Sequence, residues 1–310
     1  MNYMFETGIN FNTDLSISSI IKGVKIAEEY GYDYIWIGEA FQYSHPIPIA
    51  ALISKVTKKI KVGIIVSPKI DKCIHIIKSI QVLQEAYGER YAIGLIPGDP
   101  LRLKTLGLNT FNILEDIKSC IKSFPRVNLK IKSEFKDSIP KLCKLTSLPI
   151  YVGASGPKMI NEGSKIADGL LLNYINPEFI KWALEFVDVK NCCIAAFGPV
   201  LLKPATKELL MALRISAAVV AAGANKSLIK EFNMHTQIEE IKKIFKKNEF
   251  NALESYDEFL INKFAVYGDI EEIKSKIEEL RKIGVDQVVF GTPFCKDFES
   301  IKKLGEALKK

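Results

Sequence analysis

Residues 17–38 read I-S-S-I-I-K-G-V-K-I-A-E-E-Y-G-Y-D-Y-I-W-I-G, and this stretch holds one complete structural unit. Ile17, Ile20, Ile21, Val24 and Ala27 recur at the spacing of an apolar stripe along an α-helix. Gly31 follows as a helix stop. Beyond it, Asp33 to Gly38 is short and almost continuously apolar, without the in-and-out alternation of a strand that has one wet face. Such a strand is covered on both sides, as parallel strands beneath helices are.

The same pattern recurs outward along the chain. Strands are predicted at 8–12, 33–38, 60–66, 91–96, 149–153, 168–173, 192–197 and 286–291, with amphipathic stretches between them. Ile273, Ile277 and Leu280 ahead of Gly284 repeat the helix-and-stop pattern. Eight βα units point to an α/β chain folded as a (β/α)8 TIM barrel, with a doubly wound open sheet as the alternative. One region departs from the rhythm. Residues 203–263 are helical in pattern and hold no strand, more than one crossover needs, and are read as a helical insertion between strands 7 and 8. No repeat of 20–50 residues and no Gly/Ser linker interrupts the chain, so 1–310 is expected to be a single domain.

Composition narrows the function by exclusion. The 310 residues are 48% apolar and 25% charged, which excludes a disordered or fibrous chain. The net charge of +7 comes from 43 cations of which only five are Arg, the residue that grips phosphates and bases bidentately, so no nucleic-acid partner is expected. Six cysteines without C-x-x-C, and without His at ligand spacing, give no reason to expect a metal. They fit a reducing interior better than a disulfide framework. The first twelve residues lack the basic and apolar regions of a signal peptide, and the longest apolar run, 215–222, is too short to span a bilayer. A cytoplasmic protein without a membrane partner is expected.

A barrel of this kind works at the C-terminal ends of its strands. That rule selects Asn10 and Asn12, then Glu39 and His45, Ser67 and Lys69, Gly98 and Asp99, Ser155, Asn173 and Thr292. The sharpest segment is Pro149-Ile-Tyr-Val-Gly153-Ala154-Ser155-Gly156-Pro157-Lys158-Met159, a strand, a small-residue loop and a helix start. Its free N–H groups and helix terminus could receive a phosphate; equally, Ser155 could merely cap the helix and Gly156 make the turn. Pro97-Gly98-Asp99-Pro100 is either an ordinary turn or a close approach to a flat ligand. Glu39 could donate a proton or be solvated. His45 and His75, with no acid beside them in sequence, read as structural or exposed, and Cys192-Cys193 as core.

At these residues the chain resembles the bacterial-luciferase-like superfamily, and within it the methylenetetrahydromethanopterin reductases. The resemblance rests on the shared order of A-E-E-Y-G-Y-D-Y-I-W-I-G-E (27–39), G-E-R-Y-A-I-G-L-I-P-G-D (88–99), P-I-Y-V-G-A-S-G-P-K-M (149–159), I-A-D-G-L-L-L-N (166–173), A-A-V-V-A-A-G (217–223), F-A-V-Y-G-D (264–269) and G-V-D-Q-V-V-F-G-T-P (284–293). It spans essentially the whole chain. It implies a (β/α)8 barrel and hydride transfer from the reduced deazaflavin coenzyme F420 to a methylene-pterin, in a homo-oligomer. Gly153, Ala154, Ser155 and Gly156 would hold the coenzyme phosphate, Gly98 and Asp99 would lie beside the deazaflavin, and Asn173 would line the same pocket. Ile65, Val66 and Ser67 match the strand-three position where family members often hold a non-prolyl cis bond against the ring. Here Ile stands for the family's Gly.

The departures bear on activity. The reductases read G-I-E-F after strand one, and this chain reads Gly8-Ile9-Asn10-Phe11; an amide cannot supply a proton. The acid-His-Tyr after strand two is Glu39-Ala40-Phe41. Glu39, then Asp99, are therefore the candidate catalytic acids. Two other readings follow from the same residues: an FMN-dependent monooxygenase or reductase on this barrel, and a barrel that binds coenzyme or pterin without catalysis.

Overall fold

In a computed structural model, the structure describes residues 5–12, 14–38, 44–98, 100–124, 148–188 and 191–309. Nine strands are found among them: β1 (Glu6–Asn12), β2 (Tyr34–Gly38), β3 (Lys61–Val66), β4 (Tyr91–Leu95), β5 (Ile150–Ala154), β6 (Gly169–Leu172), β7 (Cys193–Leu202), β8 (Val266–Gly268) and β9 (Gln287–Gly291). All pair in parallel. Eight of them run in the order β6-β5-β4-β3-β2-β1-β9-β7, and β6 pairs back onto β7 to close the ring. The expected TIM barrel is found, and the open sheet is excluded by that closing pair.

The opening unit folds as its sequence predicts. Ser16 accepts the backbone N–H of Ser19 and starts a helix at Ile17–Glu29, and Gly31 turns out of it at φ +86°. Gly23 is there for contact: a Cβ on it would lie 2.4 Å from the ring of Phe11 on β1. Phe11 is fully buried, as are Ile20, Val24 and Ala27 on the helix face that covers it.

Inside the ring, Trp36 is the central filler. A Cβ on Gly63 of β3 would stand 2.2 Å from its indole, so the glycine is what lets the ring lie across the barrel. Tyr34 stacks on it at 5.6 Å, and Tyr151 and Phe197 meet it edge-on at 5.4 and 5.5 Å. Its Nε1 donates 2.8 Å to Oε1 of the fully buried Gln287. Gln287 in turn donates to Glu6, which also takes Lys61 Nζ at 2.5 Å.

The strand starts are held by acids that stand just before them. Asp33, Asp168 and Asp286 precede β2, β6 and β9, and their carboxylates accept the backbone N–H of Thr7, Ile150 and Ile194, each at 2.8 Å. Each acid thus ties its own strand to a neighbour. Glu28 does the same for the turn into β3: one oxygen accepts the N–H groups of Lys58, Lys59 and Ile60 at 2.7, 2.6 and 3.0 Å. Beside it, Arg90 donates to the carbonyls of Ser54, Thr57 and Ile60.

The excess length forms the helical insertion, with helices at Lys207–Ala222, Lys226–Glu231, His235–Lys247 and Asp257–Phe264. Arg214, only 7% exposed, clamps it with two bonds to Asp257 at 2.7 and 2.6 Å. The insertion ends in β8, a three-residue strand that pairs with the far end of β7 (Val200↔Val266) and that periodicity does not reveal. Among the described residues no helix is long and apolar enough to cross a membrane.

One expectation is corrected. Cys73 and Cys120 form a disulfide joining the helices Cys73–Tyr87 and Ile113–Ser123, which pack side by side although the cysteines are 47 residues apart. His45 is exposed and structural, as expected: its Nδ1 accepts the N–H of Ile47 at the start of a helix, and its Nε2 lies 2.9 Å from Asp71, an acid 26 residues on. Cys192 and Cys193 are buried as expected, and burial foremost pushes both thiols up to about 12.

Candidate active site

The C-terminal strand ends gather most of the residues selected from sequence. Gly156, not Ser155, precedes the helix Pro157–Ile166, and no side chain caps that helix. The simple capping role for Ser155 is thereby removed. Proline supplies no N–H at the first helical position, so Lys158 and Met159 present the first-turn donors. The loop leading to them is cramped by design: a Cβ on Gly153 would lie 2.6 Å from Ile96, and one on Gly156 would lie 2.3 Å from Asn225 Nδ2. Ala154 and Gly156 are buried, Ser155 half-buried and Lys158 exposed. Tyr174 fixes the loop from the β6 side by donating its hydroxyl to the Ser155 carbonyl. Burial holds that phenol well above its usual pKa, keeping it a donor.

The exit of β4 meets this loop through Ile96, and β3 runs out of the ring beside β4. Ile65 turns inward and packs on the Trp36 cluster, whereas Val66, by the alternation of a strand, turns outward into the helix-covered core and is fully buried. Their peptide bond is trans; the two cis bonds among the described residues both precede proline, at Lys203-Pro204 and Thr292-Pro293. β3 runs unbroken to Val66, which pairs with Leu95. Ser67 is also fully buried, with Gly98 above it: Gly98 adopts φ +78°, and a Cβ there would lie 3.1 Å from Ser67 Oγ. Lys69 is engaged within the chain, paired with Asp116 at 2.6 Å and Asn109 at 2.8 Å. Asn173, one residue past β6, is exposed. Glu39 and Asp99 lie outside the described residues.

On the opposite rim, β1 and the exit of β9 carry amides and a hydroxyl. Asn10 Nδ2 donates 3.0 Å to Asn12 Oδ1, and Asn12 Nδ2 donates 2.8 Å to Thr292 Oγ1. Among the described residues no three His, Cys, Asp or Glu side chains converge as metal ligands.

A closed parallel ring with glycine-lined strand exits is a shape that many known proteins share. Residues 4–287 match the model of the luciferase-like monooxygenases. The chain belongs to that family. Among its luciferase-like relatives, 5,10-methylenetetrahydromethanopterin reductase of Archaeoglobus fulgidus is 25% identical over 97% of this chain and 98% of its own. The enzyme of the same name from Methanopyrus kandleri is 25% identical over 96% and 95%. The solved coenzyme F420-dependent tetrahydromethanopterin reductase of Methanopyrus kandleri superposes with a TM-score of 0.84 at 24% identity, covering 98% of each chain. An F420-dependent secondary alcohol dehydrogenase in complex with an F420-acetone adduct superposes at 0.74 with 14% identity, again covering 98% of each.

Two residues that hold the loop 153–156 were not singled out from sequence. Tyr174 follows Asn173 directly, so its position at a strand end was a usable signal. Asn225 stands in the insertion, 69 residues from Gly156 in sequence, and nothing local points to it.

Proposed function

We propose that this chain is a coenzyme F420-dependent reductase that converts the methylene form of a tetrahydropterin to the methyl form. The observation that carries the reading is the end-to-end likeness to two methylenetetrahydromethanopterin reductases. The strand exits fit a flat, phosphate-tailed coenzyme. The loop 153–156 is a cradle that a Cβ at either glycine would fill, and it opens onto a helix start with no side-chain cap. Backbone donors there can take phosphate oxygens without competition.

In this reading Gly153, Ala154, Ser155 and Gly156, with the N–H groups of Lys158 and Met159, hold the phosphate. Gly98 allows the chain to approach the ring closely, Ile65 offers it an apolar floor, and Val66 and Ser67 shape the strand exit beneath. Asn173 lines the open side. When bound, the reduced deazaflavin supplies a hydride to the methylene carbon. The ring nitrogen released from that carbon takes a proton, and Glu39, directly after Gly38 at the end of β2, is the carboxyl that holds it, with Asp99 second. The protein's part is to bring two flat rings together and to keep water from between them.

Titration of the purified protein with F420 and with FMN, followed by its visible spectrum, tests the coenzyme. Tight binding of F420 and turnover of a methylene-tetrahydropterin are expected, and Glu39→Gln should suppress turnover while leaving F420 affinity within about threefold. Binding of FMN in place of F420 would transfer the chain to the flavin-dependent members of its family. F420 binding without turnover on any methylene-pterin would make it a coenzyme-binding protein.

A further inference from the structure

The segments leaving β3 and β4 are tied together at two neighbouring points. Lys69, just past β3, pairs with Asp116 at 2.6 Å, and four residues further along both segments Cys73 is bonded to Cys120. Between β4 and the helix Ile113–Ser123 lies the segment 96–112, which carries Gly98 over Ser67. This segment has little core of its own. Leu103 is fully buried beside Gly98, but from Lys104 to Asn112 no residue is buried, and Phe111 is 75% exposed. Its position therefore depends on how the helix at its far end is held. The buried residues of that helix are Ile117, Cys120 and Ile121, so the disulfide leaves from its packing face.

Among the described cysteines this pair is also the one suited to exchange with thiols. Cys192, Cys193 and Cys295 are buried thiols, and burial foremost raises the pKa of each, which keeps them protonated and inert. One disulfide beside three thiols is not the dense framework that staples a small secreted domain. Its two sulfurs differ in access. Cys120 is fully buried, whereas Cys73 is half-buried and stands between the exposed Lys72 and Ile74. An attacking thiolate reaches Cys73, and Cys120 is then the leaving group.

We propose that Cys73–Cys120 is a redox-sensitive clasp on the coenzyme site: a dithiol opens it, the segment 96–112 loosens, and coenzyme binding weakens. The coenzyme part rests on the reductase reading above; the loosening of the segment does not. In the exchange a thiolate of the dithiol attacks the Cys73 sulfur, the S–S bond breaks, and the Cys120 sulfur leaves and takes a proton. The dithiol's second thiol then displaces Cys73 from the mixed disulfide. The protein gains two electrons and two protons, and the dithiol, now a disulfide, loses the same. Once the bond is open, the helix keeps Ile117 and Ile121 but not its covalent tie, and Leu103 alone seats the Gly98 turn. Lys69 and Asp116 hold the two segments close, so the clasp can close again.

The test compares the intact protein oxidised, reduced with dithiothreitol, and carrying Cys73→Ser. Thiol counting after denaturation should find two more thiols in the reduced wild type than in the oxidised. Trypsin acting on the folded protein should cut after the exposed Lys104 about tenfold faster in the reduced form and in Cys73→Ser. F420, followed by its fluorescence, should bind both about tenfold more weakly than it binds the oxidised wild type. Cys73→Ser should be indifferent to dithiothreitol, and reoxidation should restore the wild type. Equal cutting of the oxidised and reduced forms overturns the inference. So does equal F420 affinity, which would leave the disulfide a staple that serves stability alone. An oxidised wild type that binds no F420 removes the reductase reading, and the cutting rate then decides by itself whether the clasp opens.

Discussion

The two ends of the barrel use polar groups in opposite ways. At the end where strands begin, acids are committed to backbone: Asp33, Asp168, Asp286 and Glu28 each accept main-chain N–H groups of a neighbouring segment, and Arg90 gathers three carbonyls. At the end where strands finish, glycines give the backbone room, a helix start has no cap, and one amide oxygen is unpaired. Charge spent on the chain itself holds the ring together. Polarity left unspent is what a ligand can use.

Three substitutions set the ends against each other. Gly156→Val has the largest expected effect: its side chain would drive into Asn225 and shift the loop, costing about 100-fold in F420 affinity, equivalent to about 2.7 kcal/mol. Its unfolding midpoint in urea should stay near that of the wild type, and a collapse of stability instead would blur the division between the ends. Asp168→Ala inverts the pattern. It strands the N–H of Ile150, a residue 1% exposed, and should cost about 1–3 kcal/mol in urea unfolding while F420 affinity stays within about twofold.

The smallest effect is at Glu28. Burial works to raise its pKa, but the three N–H groups of Ile60, Lys59 and Lys58, with the Arg90 guanidinium, outweigh it and leave the carboxyl below its ordinary value. A depressed folded-state pKa stabilises the protein above the unfolded value of about 4.3, and that contribution fades as pH falls through the folded one. Glu28→Gln should therefore cost about 1 kcal/mol at pH 7, with the gap to wild type closing by pH 3. A gap that persists in acid would show that packing of the side chain, not its charge, is what matters there.

Most of the ring was legible because its signals are local. A buried strand is a short apolar run, a helix is a stripe, and Gly31 or Gly284 ends one unit and opens the next. The insertion was legible by length, since no crossover needs the 203–263 stretch. What stayed hidden depends on distant partners: β8 becomes a strand only because β7 extends to Leu202 beside it, and Cys73 meets Cys120 only once two helices pack. The site divides in the same way. The small residues of 153–156 stand out in sequence, but whether Ser155 caps its helix is decided by where Gly156 falls, and the hydrogen-bonded run Asn10–Asn12–Thr292 forms only once β1 and the exit of β9 lie side by side.

Trp36 also determines how the site exchanges with its surroundings. Lying across the ring with Tyr34, Tyr151 and Phe197 around it, and bonded to Gln287 below, it plugs the barrel beneath the strand exits. The aromatic cluster and Gln287 fill the ring at that level, so a ligand at the strand exits would come and go by the rim. A molecule seated deepest cannot leave until the one above it has gone.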